Sequence, residues 1–297
     1  MSDAPLHGEE LAPEDERLLR GPPPAVALRW CERAAGARVA TVRALTGGTS
    51  SAVHAVDLDD GRALVLRRFV RAGWLAEEPD IAAREAAALA LVRNRPVPAP
   101  RLVAVDVSGA EAGTPAVLTE RLPGAVVWRP PALEPWLRGL AALLPAIHTT
   151  PVRDAALPEY EPYALETSAP PSWSRRPDVW QRAFARFDGP PPPGPRGLVH
   201  RDFHPGNVLW SGGAVSGLVD WASAELGHPH ADIGHCRWNL ARVHGPAAAD
   251  RFLELTGAVA YDGYWDVVGC LGGFAAPEFD AKVVGEEAFV AAALERC

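Results

Sequence analysis

The feature of this sequence that most constrains its fold is LVHRDFHPGNVLW, residues 198–210. The flanking segments LVH and VLW are short and apolar, which is typical of buried β-strands. The residues between them include two histidines, an aspartate and an asparagine. A loop that concentrates such polar groups between two rigid strands is expected to carry function.

A β-hairpin is predicted directly after this loop. The segments VLW and VSGLVD flank SGG at 211–213, which is typical of a tight hairpin turn. Asn207 enters the hairpin and Asp220 leaves it, so the two residues are expected to lie side by side where the hairpin opens. Asp202 lies on the loop just ahead of them. The spacing therefore predicts one carboxylate next to an asparagine–aspartate pair.

These residue types suit phosphoryl transfer. Amide and carboxylate oxygens are ligands that Mg²⁺ prefers, and Mg²⁺ takes its remaining ligands from water and phosphates. An aspartate that binds no metal can accept the proton of a substrate hydroxyl. A phosphoryl-transfer enzyme needs this arrangement, because its work is positioning, charge neutralisation and orientation of the nucleophile.

Histidines in the same part of the chain allow a second interpretation, a zinc or iron site of a metallohydrolase. The residues concerned are His200, His204, His228, His230 and His235. Tight spacings such as H-E-x-x-H are absent from this set, and Pro205 interrupts one pair. The metal site is therefore the less favoured interpretation, and His204 is expected to fix the loop by hydrogen bonding.

The hydrophobic periodicity predicts an α+β protein. Five strand-like segments precede residue 123: ARVATVRALTG, AVHAVDLDDG, RALVLRRF, RLVAVDV and TPAVLTERL. PDIAAREAAALALVRN is a predicted amphipathic helix among them, and AVALRWCERAAG, ahead of the first strand, is a predicted short helix that ends at Gly36. We expect a largely antiparallel sheet with one inserted helix in this first part. After Pro123-Gly124 the chain is predicted to be mainly helical, and LEPWLRGLAALLPAIH, residues 133–148, is a predicted helix.

The loop resembles a known family. H-R-D-x-x-x-x-N matches the catalytic loop of protein kinases letter for letter. The FHPG between Asp202 and Asn207 is closer to the aminoglycoside phosphotransferase and choline kinase relatives, which carry H-x-D-x-H-P-x-N and then a strand that ends in Asp followed by Trp or Phe. Asp220 and Trp221 match that second element. The resemblance extends from about Val39 to the last helices.

The resemblance implies a two-lobed, protein-kinase-like fold. Residues 1–122 would form an N-lobe that binds the nucleotide, with an antiparallel sheet and one helix. Residues 123–297 would form a mainly helical C-lobe, with the catalytic loop, its hairpin and the acceptor site. Asp202 would be the catalytic base, Asn207 and Asp220 would hold Mg²⁺, and His200 and Arg201 would brace the loop.

The resemblance also implies a nucleotide site for ATP or GTP. The phosphate-covering loop would comprise Gly47, Gly48, Thr49, Ser50 and Ser51. The backbone of Glu120 and Leu122 would bind the adenine edge. Arg67 lies where kinases keep a lysine that contacts the α- and β-phosphates, and the chain has only one lysine, Lys282. Arginine keeps the charge and can bind phosphate through two nitrogens, but it is longer and planar.

Glu85 is the implied partner of Arg67. It shares a helical stripe with Ile81 and Leu89, and a carboxylate in an apolar stripe needs a buried partner. The alternative is a surface glutamate that pairs with Arg84. Both interpretations are compatible with the sequence.

Charge and composition restrict the partners. The 297 residues carry a formal net charge of −8, which argues against nucleic acid or an anionic membrane as the main partner and suits a cationic small molecule. Acidic residues lie in the regions where relatives bind the acceptor: Glu159, Glu161, Glu166, Asp262, Asp266, Glu278 and Asp280. The four cysteines are scattered, the N-terminus lacks an apolar signal region, and no apolar run is long enough to span a membrane. A cytoplasmic protein is expected.

The function predicted from these observations is transfer of the γ-phosphoryl of ATP, or GTP, to a hydroxyl of a small molecule. An antibiotic is the first candidate acceptor, with an aminoglycoside before a macrolide. A metabolic kinase for choline, homoserine or a sugar would share the same core residues. Because arginine replaces the usual lysine at Arg67, a nucleotide-binding pseudokinase is a further alternative. The oligomeric state stays open.

Overall fold

The structure is a computed structural model that describes residues 12–46, 48, 50–165, 167–272 and 284–297. It divides the chain into two units. The first contains Met1–Asn94, Ala99–Pro123 and Asp220–Ser223, and the second contains Arg95–Pro98, Gly124–Val219 and Ala224–Cys297. The main division thus falls one residue after the predicted boundary at 122. Two short segments depart from this division. Residues 95–98 belong to the second unit, and residues 220–223 belong to the first.

An antiparallel five-stranded sheet forms the first unit, as predicted. Its strands are β1 (Val39–Ala44), β2 (Ala52–Leu58), β3 (Ala63–Arg68), β4 (Leu102–Asp106) and β5 (Ala116–Glu120), in the order β1-β2-β3-β5-β4. Arg67 lies opposite Val53 on one side and Val117 on the other. The arginine therefore projects from the central strand, where two neighbouring strands fix its backbone.

The described part of this unit has four helices. They are α1 (Pro13–Arg20), α2 (Ala25–Ala35), α3 (Ala72–Glu77) and α4 (Ile81–Val92). Helix α2 packs Trp30 and Cys31 against Leu64 and Leu66 of β3. Helix α3 buries no residue, and α1 buries only Leu19. Helix α4 is the predicted inserted helix, and α2 is the predicted short helix that ends at Gly36. Helices α1 and α3 were not predicted, since each buries too little apolar surface to give a clear pattern.

The second unit is mainly helical. Its helices are α5 (Leu133–His148), α6 (Pro177–Phe187), α7 (His230–His244), α8 (Pro246–Thr256), α9 (Tyr264–Leu271) and α10 (Val284–Leu294). Helices α6, α9 and α10 share one buried apolar cluster. Among the described residues, no helix has the length and hydrophobicity needed to cross a membrane.

Short strands of the second unit hold the predicted loop. They are β6 (Ala125–Val126), β7 (Gly197–Val199), β8 (Val208–Ser211), β9 (Ala214–Leu218) and β10 (Glu225–Gly227). Strands β8 and β9 form the predicted hairpin, and Gly212 and Gly213 adopt the positive φ angles of 58° and 81° that its turn requires. Strand β7 pairs with β10, so the loop at 200–207 runs from one small sheet to the other.

Candidate active site

The start of the loop is fixed by one buried aspartate of helix α7. Asp232 is 0% exposed. Its Oδ1 accepts a hydrogen bond from the backbone N–H of Arg201 at 2.8 Å, and its Oδ2 accepts one from the backbone N–H of His200 at 3.0 Å. His148 contacts the same Oδ2 through Nε2 at 2.9 Å. A helix thus sets the position of the loop backbone directly before Asp202.

The side chains of His200 and Arg201 hold the loop from other directions. Nε2 of His200 lies 3.0 Å from the carbonyl oxygen of Val219. Arg201 forms a buried ion pair with Glu225 at 2.9 Å, and its guanidinium lies 3.9 Å from the ring centre of Tyr163. The backbone of Arg201 has a φ of 64°, a conformation that costs a non-glycine residue about 1 to 3 kcal/mol. These contacts offset that strain.

Asp202 receives hydrogen bonds on both carboxylate oxygens. Nδ2 of Asn207 donates to Oδ2 at 2.9 Å. Nε2 of His235 lies 3.1 Å from Oδ1, and Nε2 of His204 lies 3.5 Å from the same oxygen. Burial by itself raises the pKa of Asp202, but the two imidazoles outweigh it and hold the pKa well below its usual range. The carboxylate is therefore ionised at neutral pH and can accept a hydrogen bond.

The spacing of Asp202, His204 and His235 would allow a metal ion. The hydrogen bonds of His204 argue against it. Its Nδ1 accepts the backbone N–H of Gly206 at 3.0 Å, so the ring proton must sit on Nε2. A metal ligand needs a bare nitrogen, and a ligating histidine usually donates from its other nitrogen. The cluster is therefore suited to hydrogen bonding to Asp202 rather than to a metal.

Asn207 is oriented so that its oxygen is left for a ligand. Nδ2 lies 2.8 Å from the carbonyl oxygen of Asp202 and 2.9 Å from Oδ2 of the same residue, and both atoms are acceptors. The amide nitrogen must face them, which leaves Oδ1 for a cation. In the same unit the backbone N–H of Val219 donates to the carbonyl oxygen of Asn207 at 2.9 Å. Asp220 follows Val219 directly in the chain.

Arg67 is the centre of a second polar cluster, in the first unit. Its Nη1 lies 3.3 Å from Oε1 of Glu85 and 2.5 Å from Oδ1 of Asp220, and its Nε donates to Oγ of Ser51 at 2.8 Å. Burial lowers the pKa of Arg67, but the two carboxylates outweigh it and raise the pKa above its ordinary value. Burial raises the pKa of Glu85, and the charge of Arg67 opposes that rise.

The alternative partner for Glu85 has contacts of its own. Arg84 forms ion pairs with Glu78 at 2.7 Å and with Asp80 at 3.2 Å. Glu85 is 5% exposed and faces Arg67. The surface pairing with Arg84 is therefore wrong.

The remaining residues of the predicted nucleotide site lie in the segment at 47–51 and at the end of β5. Gly47 and Thr49 lie outside the described residues, Gly48 is exposed, Ser50 is half-buried and Ser51 is buried against Arg67. The backbone N–H of Glu120 donates to the carbonyl oxygen of Arg101 at 2.9 Å. That N–H is therefore not available to an adenine edge, and Leu122, two residues further on, is half-buried.

The acidic residues proposed for a cationic acceptor do not form a free cluster in the described chain. Glu159 pairs with Arg196, Asp262 lies 3.4 Å from Arg186, and fully buried Asp266 pairs with Arg237 at 2.8 Å. Glu161 is exposed, and Glu166, Glu278 and Asp280 lie outside the described residues. Three of the four described acids are thus already neutralised by arginines, because each lies next to one in the fold.

Sequence reasoning missed the role of His235 and the contacts of Glu225 and Tyr163. His235 follows Asp232 by three residues on helix α7, so both lie on the face that contacts the loop. That spacing is the signal in the sequence by which His235 could have been found. Glu225 and Tyr163 carry no comparable pattern.

An ionised aspartate beside an asparagine amide in the second unit, and a buried pair of Arg67 on β3 with Glu85 on α4 in the first, are the arrangement expected of a kinase-like phosphotransferase. The sequence model of the phosphotransferase enzyme family (APH) matches residues 41–268, more than half of the chain. The chain belongs to this family. It is an enzyme that transfers a phosphoryl group to a hydroxyl of a small molecule, which confirms the predicted fold class and reaction class.

Solved structures share the fold at low sequence identity. The macrolide 2′-phosphotransferase of Brachybacterium faecium is 18% identical with a TM-score of 0.59, over 91% of this chain and 98% of that one. A thermostable mutant of an aminoglycoside phosphotransferase, in complex with AMP-PNP and hygromycin B, is 18% identical with a TM-score of 0.56, over 92% and 97%. A candidate fructosamine-3-kinase of Thermobifida fusca is 20% identical with a TM-score of 0.57, over 91% and 99%. The search of curated proteins finds no match.

Proposed function

We propose that Asp202 is the base of an ATP-dependent O-phosphotransferase. The observation that carries the proposal is the arrangement of its carboxylate. Oδ1 faces two imidazoles, and Oδ2 accepts one amide hydrogen from Asn207. An ionised carboxylate that keeps an acceptor position open can receive the hydrogen of an incoming hydroxyl group. His200 and Arg201 position the loop and do not touch the substrate.

The nucleotide side of the reaction belongs to the first unit. Arg67 would bind the α- and β-phosphates of ATP with Nη2, while Glu85 and Ser51 hold its other nitrogens. The loop with Gly47, Gly48, Thr49, Ser50 and Ser51 would cover the phosphates. The adenine would meet the carbonyl of Glu120 and the backbone of Leu122. GTP stays an alternative donor.

Asn207 and Asp220 have the donor atoms for Mg²⁺, since the amide oxygen of Asn207 is available and the Asp220 side chain is 31% exposed. When bound, Mg²⁺ would neutralise phosphate charge. In the transfer itself, the acceptor oxygen forms a bond to the γ-phosphorus and its proton passes to Asp202. The bond from the γ-phosphorus to the bridging oxygen breaks, and ADP leaves with that electron pair.

For the acceptor we propose an antibiotic hydroxyl, and the structure favours a macrolide over a polycationic aminoglycoside. An aminoglycoside needs several unpaired carboxylates, and Glu159, Asp262 and Asp266 are occupied by arginines. The chain is similar to both a macrolide 2′-phosphotransferase and an aminoglycoside phosphotransferase. Both classes of acceptor are therefore included in the test.

A metabolic sugar kinase is the second candidate, supported by the similarity to a candidate fructosamine-3-kinase. A pseudokinase is disfavoured because Asp202, Asn207 and Asp220 are all present and Arg67 occupies the contacts of the usual lysine. These alternatives differ in one observable, which compound gains a phosphoryl group.

The test is mass spectrometry of pooled acceptors incubated with Mg²⁺ and ATP or GTP. The pools hold macrolides, aminoglycosides, choline, amino alcohols and sugars. We expect one class to gain a phosphoryl mass with the wild type, and a loss of about 10²- to 10⁴-fold in rate with Asp202→Asn. Asp188→Asn, which removes an exposed carboxylate at the end of α6, is the matched control. Nucleotide binding without any product would favour the pseudokinase.

A further inference from the structure

Helix α7 presents two side chains to the catalytic loop. Asp232 binds the loop backbone at His200 and Arg201, and His235, one turn later, binds the side chain of Asp202. Residues three apart on a helix share a face. The helix that fixes the main chain of the loop therefore also contacts the carboxylate that we propose as the base.

The two carboxylate oxygens of Asp202 have different contacts. Each carboxylate oxygen has about two lone pairs in its plane. Oδ1 faces Nε2 of His235 at 3.1 Å and Nε2 of His204 at 3.5 Å, so both of its positions are used. Oδ2 accepts only Nδ2 of Asn207, at 2.9 Å, among these three side chains. One position on Oδ2 is left for a further hydrogen.

His235 makes the shorter of the two imidazole contacts. His204 lies further from Oδ1, and its ring is also held by the backbone of Gly206. The terminal torsion of an aspartate is broad and about two-fold, so hydrogen bonds decide which oxygen points where. Loss of the contact to His235 would allow the carboxylate to rotate.

We propose that His235 is a positioning residue for phosphoryl transfer, which holds Oδ1 of Asp202 so that Oδ2 meets the acceptor hydroxyl. This inference rests on the proposed role of Asp202 as the base. His235 does not touch the nucleotide in this assignment. Its removal should slow the chemical step and leave nucleotide binding unchanged.

The kinetic test uses MgATP with water as the acceptor, measured as release of inorganic phosphate. His235→Leu should lower kcat by about 10- to 100-fold, the size expected for one hydrogen bond to a charged group, with KM for ATP nearly constant. His235→Gln places an amide N–H close to the former Nε2 and should restore most of kcat. His230→Leu, a histidine of the same helix that contacts Tyr261, is the matched control. Full kcat in His235→Leu would overturn the proposal.

A second measurement does not depend on turnover. In protein labelled with ¹⁵N-histidine, NMR should show His235 protonated at Nε2. Asp202→Ala should shift the His235 ring nitrogens and leave those of His230 unchanged. The inference would be overturned by a His235 ring with a bare Nε2, or by ring-nitrogen shifts of His235 that do not change in Asp202→Ala. Absence of wild-type turnover would contradict the proposed function instead, and the NMR result would still decide whether His235 holds Asp202.

Discussion

Arg67 and Arg237 are both buried arginines with carboxylate partners, and they use their nitrogens differently. Arg237 is 1% exposed. Its Nε and Nη2 bind the two oxygens of Asp266 at 2.8 and 3.0 Å, and its Nη1 donates to the carbonyl of Ala249 at 2.7 Å. Asp266 is 0% exposed. Every nitrogen of this guanidinium is occupied by the protein, which is the arrangement of a structural ion pair.

Arg67 leaves part of its guanidinium open. Nε and Nη1 contact Ser51, Glu85 and Asp220, but Nη2 has no hydrogen-bond partner among the described residues. The side chain of Asp220 is 31% exposed, while that of Glu85 is 7% exposed. A buried cation with an unused nitrogen and one solvent-accessible partner is suited to an incoming anion. If Arg67 binds a nucleotide phosphate as proposed, its unused hydrogen-bonding capacity is what distinguishes it from the structural pair at Arg237.

The largest expected effect tests the structural pair. Arg237→Met would leave the Asp266 carboxylate buried without its charge partner, and we expect a loss of about 3 to 5 kcal/mol in the free energy of unfolding. Urea unfolding measures it. Arg242→Met, on the exposed side of the same helix, should cost under about 1 kcal/mol. Equal losses in the two variants would contradict the distinction.

Arg67→Met tests the pair at Arg67. The variant should weaken MgATP binding more than it lowers the free energy of unfolding. Charge-assisted hydrogen bonds to phosphate contribute about 1.5 to 3 kcal/mol, so MgATP should bind about 10- to 100-fold more weakly by calorimetry. The unfolding free energy should fall less than in Arg237→Met, because Asp220 is partly solvated. Arg67→Lys keeps the charge and should retain most of the affinity. Unchanged MgATP binding in Arg67→Met would remove Arg67 from the nucleotide site.

The pH dependence of the free energy of unfolding tests the pair at Arg67 through the pKa of Glu85. Its pKa is raised by burial, so its contribution to stability is fully present below the unfolded pKa of about 4.3 and is lost as the pH rises through the folded pKa. Arg67 opposes that rise, and Arg67→Met should therefore raise the pKa of Glu85 further. The variant should lose more unfolding free energy than the wild type between pH 5 and pH 8, by about 1.4 kcal/mol for each additional pKa unit. Adding Glu85→Gln should abolish this extra loss.

Local sequence patterns predicted the parts of the fold that depend on near neighbours. The helix at 133–148 and the hairpin after Asn207 appear as predicted, because periodicity and turn residues act over a few positions. Helix α3 was missed because it buries no residue. The pairing of Arg67 with Glu85 came from the family resemblance, since the two residues are 18 positions apart and no local pattern links them.

The contacts that support the loop at 200–207 could not be predicted in the same way. Asp232 lies 31 positions after Arg201, and Glu225 and Tyr163 reach Arg201 from a strand and from a segment without regular structure. Such contacts depend on the packing of helices and strands, which periodicity does not encode. The pairing of Glu159 with Arg196 and of Asp266 with Arg237 could not be predicted for the same reason, because the partners are distant in sequence.

The smallest effect is expected at Ser51, and it distinguishes two ways in which the Arg67 cluster could bind ATP. Ser51 is 3% exposed and accepts the Nε hydrogen of Arg67 at 2.8 Å. Ser51→Ala leaves that hydrogen without an acceptor, which should weaken MgATP binding about fivefold, the equivalent of about 1 kcal/mol. Ser211→Ala, at the exposed end of β8, is the calorimetric control. A loss as large as in Arg67→Met would mean that Ser51 contacts the phosphates itself, whereas a small loss would confine its part to the orientation of Arg67.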